Sequence, residues 1–137
     1  MSELTRKERP EFRNIHISQI AKYRLPLAGR LSIMHRATGV LLFLALPLVL
    51  LPAFEASLTS ELSFFDLSQF FQSKLVKAVA LVLLWAYLHH FCAGIRYLLL
   101  DLHVGVDKDS ARKSAAISFA VSLALTVVFG LKLFGVF

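Results

Sequence analysis

Two short strings carry nearly all the side chains capable of chemistry in this chain. The first, RLSIMHRATG, holds Ser32, His35 and Arg36. The second, HHFCAGIRYLLLD, holds His89, His90, Arg96 and Asp101. Ser32, His35 and Arg36 follow i, i+3, i+4 spacing, so on a helix they share one face within about one turn. A hydroxyl, an imidazole and a guanidinium on one face suit an oxygen-rich, partly anionic group: a carboxylate, a phosphate, or a quinone carbonyl gaining charge on reduction. Snorkelling of His35 and Arg36 to anionic headgroups is the plainer alternative. In the second string, His90 lies six residues before Arg96, roughly 9 Å along a helix. An imidazole at that depth could ligate a haem iron, relay protons or hydrogen-bond a neighbouring helix. Gly94, one turn after His90, leaves room for a flat macrocycle or a close partner helix. His89 and His90 point roughly 100° apart, so only one of them can face a given ligand.

Both strings belong to long apolar segments, and that decides the fold class. Of 137 residues, 57% are hydrophobic and only 18% charged, far from the balance of a soluble domain. Apolar runs cover about 32–54, 75–100 and 115–137. Each has roughly the 20 residues that a helix needs to cross a bilayer. Lipid offers no partner to free backbone polar groups, so the expected fold is all-α. It comprises a polar, basic segment at 1–30 and a three-helix transmembrane domain at 31–137. Pro47 predicts a kink in the first span. Phe64, Phe65, Phe70 and Phe71 suit a short interfacial helix after it. Trp85 and Tyr87 lie too deep for an interfacial belt and are expected to pack on neighbouring helices. Ser118, Ser122 and Thr126 suggest no chemistry in the third span.

The net charge of +6 follows topology and gives no reason to invoke nucleic acid. Arg6, Lys7, Arg9, Arg13, Lys22, Arg24 and Arg30 precede the first span, and Lys108, Arg112 and Lys113 lie between the second and third. The stretch 52–71 has no Lys or Arg but carries Glu55, Glu61 and Asp66. The positive-inside rule places the N-terminus on the cytoplasmic (or mitochondrial matrix) side and the C-terminus outside. Both polar strings then lie near the inner face. Cys92 is the one cysteine, so an intrachain disulfide and a Cys₄ metal site are excluded. The charged N-terminus is not a signal peptide. A bacterial inner-membrane protein is the expected setting. His16 and His103 lie outside the spans and His35 near an end. A bis-histidine haem would therefore take its second ligand from another chain.

Taken together, the motifs resemble the cytochrome b subunits of succinate dehydrogenase, which are small membrane anchors of respiratory complex II. That family carries a basic RP, then S-x-x-H-R-x-[ST]-G, then H-x-x-x-G-[IV]-R-H followed by an acidic residue. Here these read Arg9-Pro10, Ser32 to Gly39, and His90 to Tyr97 with Asp101 following. The resemblance implies that His90 is the axial ligand of haem b, with His89 one place off the motif. It implies Ser32 and Arg36 at a ubiquinone, and His35, Arg36, Arg96 and Tyr97 near the haem propionates. Asp101 could aid proton uptake. The chain departs from the pattern at Tyr97, where the family commonly has a second His. A phenol donates a hydrogen bond but does not become cationic near neutral pH.

The implied partners are a second hydrophobic anchor supplying the other haem ligand, an iron–sulfur subunit, a flavoprotein subunit and membrane lipids. The chain has no flavin-binding glycine motif and no iron–sulfur cysteine set, so it is not expected to oxidise succinate itself. The rival readings are an anchor of a quinol:fumarate reductase, a haem-free structural anchor, and a small transporter subunit. A transporter would line both leaflets with ionisable groups, whereas here they gather at one side.

Overall fold

The computed structural model describes residues 16–136, and every regular element among them is helical. The Arg9-Pro10 pair and the basic run before it lie outside the described residues. A short helix α1, Ile17–Lys22, precedes Pro26, whose extended backbone caps α2, Leu27–Ala45. The ladder then widens into a π-helical turn, Leu46–Leu50, before α3, Leu51–Thr59. Pro47 sits in that turn. It has no N–H and its ring crowds the preceding turn, so the α pattern cannot run through it unchanged.

Helix continues well past the expected end of the first span near residue 54. The stretch 52–71 is correspondingly not an open loop. Its second half is α4, Glu61–Phe70, started by reciprocal capping between Ser60 and Ser63. Each serine oxygen accepts the other's backbone N–H at 3.1 Å. Helix α5 spans Lys74–Asp101 and α6 spans Lys108–Leu133. The third helix thus begins before its apolar run, because Asp107 caps it. Among the described residues, three helices are long and apolar enough to cross a membrane.

Helix α5 is central, packing against both α2 and α6. Contacts along each pair step in opposite directions. Gly39 meets His90 and Gly94 meets His35, while Arg96 meets Ser114 and Leu81 meets Gly130. Both pairs are therefore antiparallel. The core gathers at the end where α2 and α6 begin, around Leu31, Ala93 and Ala115 with Tyr97 and Phe119 against them. The far half of the first span has no such cover, and Leu46, Leu48, Leu50 and Phe54 are exposed.

Helix α6 turns Ala115, Ser118, Ser122, Thr126 and Gly130 inward. Small residues at near four-residue spacing let two backbones approach, which is how membrane helices pack without a hydrophobic driving force. The hydroxyls satisfy themselves on their own helix: Thr126 donates to the Ser122 carbonyl at 2.7 Å and Ser118 to the Ser114 carbonyl at 3.0 Å. Of the two deep aromatics, Trp85 packs inward, whereas Tyr87 is exposed and stacks on Phe91 of its own helix. The expectation for Tyr87 is corrected on this point, because the side chain is exposed and the ring it stacks on belongs to its own helix.

The α5–α6 connection is tight. His103 N–H donates to the Leu100 carbonyl and Val104 N–H to the Leu99 carbonyl, a Schellman close with His103 at φ 62°. Asp107 then accepts from the backbone N–H groups of Asp109 and Ser110 at 3.2 and 2.9 Å. Hydrogen bonding to Ser110 foremost holds the Asp107 carboxyl below its ordinary value. A depressed carboxyl adds stability above its unfolded pKa, and the gain is lost as pH falls through the folded one. Acidification is therefore expected to speed amide exchange at Asp109 and Ser110 relative to an Asp107→Asn variant at each pH. Equal ratios at pH 7 and pH 3 would contradict it.

Candidate functional site

The two sequence strings meet where α2 crosses α5. His35 and His90 stack, with ring centroids 4.0 Å apart and planes 10° apart. Nδ1 of His90 is 3.0 Å from the His35 carbonyl oxygen and 3.4 Å from the Thr38 hydroxyl. A carbonyl only accepts, so Nδ1 carries the proton. In a neutral imidazole the lone pair then sits on Nε2, ready for a metal. Second-shell bonds of this kind fix the tautomer and orientation of metal-binding histidines. Thr38 is itself anchored, donating to the Met34 carbonyl at 2.8 Å.

Glycine makes the close approach possible. A Cβ on Gly39 would lie 2.9 Å from Cε1 of His90, closer than real contacts allow, whereas one on Gly94 would make an ordinary contact at 3.7 Å with Nε2 of His35. Tyr97 completes the group, its ring tilted 5.0 Å from that of His35. Nε2 of His35 and the Tyr97 hydroxyl are buried without a hydrogen-bond partner. A buried polar atom left unpaired costs about 1–3 kcal/mol, so this pair calls for a hydrogen-bond partner that the described residues do not supply.

Ser32 is half-buried and Arg36 exposed on α2, with neither side chain hydrogen-bonded among the described residues. Arg36 thus offers its full guanidinium to whatever lies against that face. Arg96 is placed differently. Only 6% exposed, it donates from Nε to the Ser114 hydroxyl at 2.9 Å and from Nη2 to the Ala111 carbonyl at 3.2 Å. Its guanidinium carbon also lies 5.3 Å from the centre of the Tyr97 ring. Arg96 therefore ties α5 to α6, and Nη1 alone is left without a partner among the described residues. Asp101 is exposed at the last residue of α5.

The adjacent histidines part company. His90 turns to α2, while His89 turns to α6 and is fully buried between Trp85 and Phe119, at 5.5 and 5.1 Å between ring centres. Neither nitrogen of His89 has a hydrogen-bond partner among the described residues.

The residues fit a haem. Among the described residues no three His, Cys, Asp or Glu side chains gather round a common point. A metal held by His90 would thus take its remaining ligands from a cofactor and a partner. The oriented Nε2 of His90 and the His35 and Tyr97 atoms left without a partner among the described residues suit a ligated macrocycle with anionic side groups.

Sequence reasoning missed the roles of Thr38, Gly39 and Ser114. The first two close the S-x-x-H-R-x-[ST]-G string at i+3 and i+4 from His35, a spacing that already placed them on its face. Ser114 gave no such signal, because its partner Arg96 is on another helix.

The sequence profile of the succinate dehydrogenase/fumarate reductase transmembrane subunits matches residues 5–129. The chain is 35% identical over 112 residues to a succinate dehydrogenase cytochrome b556 subunit of Coxiella burnetii, covering 81% of this chain and 89% of that one. It is 32% identical over 128 residues to the subunit of the same name from Paracoccus denitrificans, covering 93% and 94%. A third from Rickettsia felis is 29% identical over 108 residues. With a match of that extent and three spans in the expected order, the chain belongs to the family of succinate dehydrogenase/fumarate reductase transmembrane subunits.

Proposed function

We propose that this chain is the haem b-binding anchor of a succinate:ubiquinone oxidoreductase and forms part of its quinone-reduction site. The carrying observation is the bond from His90 Nδ1 to the His35 carbonyl, which leaves Nε2 available to a metal. His90 would hold the haem iron, and a second anchor subunit would supply another ligand. His35, Tyr97, Arg36 and the free Nη1 of Arg96 would receive the propionates. Bound there, the haem would supply a one-electron relay.

Chemistry at the quinone falls to this chain's own side chains. The Ser32 hydroxyl donates to a quinone carbonyl, and the Arg36 cation stabilises oxygen as it gains negative charge. Two electrons from an iron–sulfur subunit and two protons from the cytoplasmic side convert quinone to quinol. Asp101 stands at the aqueous end of α5, where it can hand on a proton. A flavoprotein subunit would oxidise succinate. The setting is a bacterial inner membrane with the N-terminus cytoplasmic and the C-terminus periplasmic, following the charge distribution.

The test is a reduced-minus-oxidised visible spectrum of the complex purified through this chain, where a b-type signal is expected. Gly39→Ala should shift that signal or its potential, since the new Cβ displaces the His90 ring at an overpacking cost of about 1–3 kcal/mol. Gly130→Ala is the control. Its Cβ would meet Leu81 at 2.9 Å, but at the movable end of a side chain, so the spectrum should not change. A wild type with no b-type signal overturns the haem assignment. The family also includes fumarate reductase anchors. Faster turnover with a low-potential than a high-potential quinone would favour that direction.

A further inference from the structure

Away from the His35–His90 group, two cavities share a wall. The first turns of α2 and α6 border a cleft of about 660 Å³ lined by Arg30, Lys108 and Arg112, with Asp109 its one carboxylate. Leu27 and Arg30 also border an apolar groove of about 540 Å³ that passes Trp85, Phe119 and Leu123. A cationic mouth thus opens onto an apolar trough between membrane-spanning helices. At about 100° per residue, Arg30 stands about 160° round α2 from Ser32 and about 120° from Arg36. This face is not the one assigned to the quinone.

We propose that the cleft and groove together bind an anionic phospholipid. The phosphate sits among Arg30, Lys108 and Arg112, and an acyl chain lies along Trp85, Phe119 and Leu123. Charge complementarity selects the head: three cations against one carboxylate hold a phosphate better than a zwitterion. The trough selects the tail, because a soluble phosphate would use the mouth and leave the apolar wall unmatched. Basic residues at the positive-inside end of membrane helices attract anionic headgroups at about 1 kcal/mol each. Removing three should weaken retention on the order of 100-fold. The inference does not depend on the haem or quinone roles.

The experiment uses the complex purified through this chain in mild detergent and exchanged into defined lipid. Retained lipid is counted by native mass spectrometry, and melting temperature is followed during titration with phosphatidylglycerol or phosphatidylcholine. Two variants separate head from tail: Arg30→Gln with Lys108→Gln and Arg112→Gln, and Ala120→Trp, at a small residue that lines the groove, which fills the trough and keeps every charge. Wild type should prefer phosphatidylglycerol, the charge variant should lose that preference, and Ala120→Trp should lose retention of either lipid, both variants keeping any b-type signal. If the triple variant does not assemble, Arg112→Gln alone should lose about fivefold. Equal retention of both lipids by wild type, or unchanged retention in the variants, overturns the site. Loss in the charge variant with full retention in Ala120→Trp would reduce it to an anion site on the surface. A wild type without haem that still selects phosphatidylglycerol would sink the haem proposal and leave this one standing.

Discussion

Replacing Arg36 by Leu should cut quinone reduction by about 100-fold or more, while succinate oxidation by a soluble artificial acceptor continues. Losing one preorganised group that meets developing negative charge costs on the order of 10²–10³ in turnover. Arg36 is exposed and has no hydrogen bond among the described residues, so its loss leaves no buried group unpaired there and assembly should survive. That separates it from Arg96, which is buried and joins α5 to the Ser114 hydroxyl and the Ala111 carbonyl of α6. Lysine at 36 keeps the charge but not the planar fork, so partial activity is expected there. Normal quinone turnover in Arg36→Leu would remove this residue from the site.

The second large effect separates neighbours in sequence. His90→Ala should abolish the b-type signal in an assembled complex, whereas His89→Phe should keep it. Both nitrogens of His89 are buried without partners between Trp85 and Phe119. Exchanging an unpaired polar ring for an apolar one of similar shape is close to neutral in stability. A signal that survives in His90→Ala and vanishes in His89→Phe would move the ligand to His89. If His90→Ala also fails to assemble on size exclusion, Gly39→Ala tests the same ring by a smaller displacement.

Much of this was legible in the residues. Hydropathy and the count of apolar positions fix the three spans, because lipid leaves the backbone no other solution. The spacing of Ser32, His35 and Arg36 places them on one face whatever surrounds them. Contacts between helices are harder to read. That His90 looks to α2 and His89 to α6 depends on the rotation of α5 about its axis, which the near-continuous apolar sequence around them does not encode. The same holds for Arg96. Its type and place near a helix end suggest a ligand, and only the approach of α6 reveals Ser114. Pro47 announces a disturbance of the first span, but not that a wider π-helical turn would absorb it and let helix continue to Thr59.

The bond from Arg96 to α6 also bears on how the protein is made. When α5 leaves the ribosome, its guanidinium has no internal partner, for Ala111 and Ser114 are synthesised later. Until then the second segment is best kept near the headgroups, where a cation remains hydrated. The third segment carries no such debt, since its hydroxyls already bond to their own carbonyls. Its arrival supplies both partners at once, so the tie from Arg96 to α6 forms only after the third segment has been made.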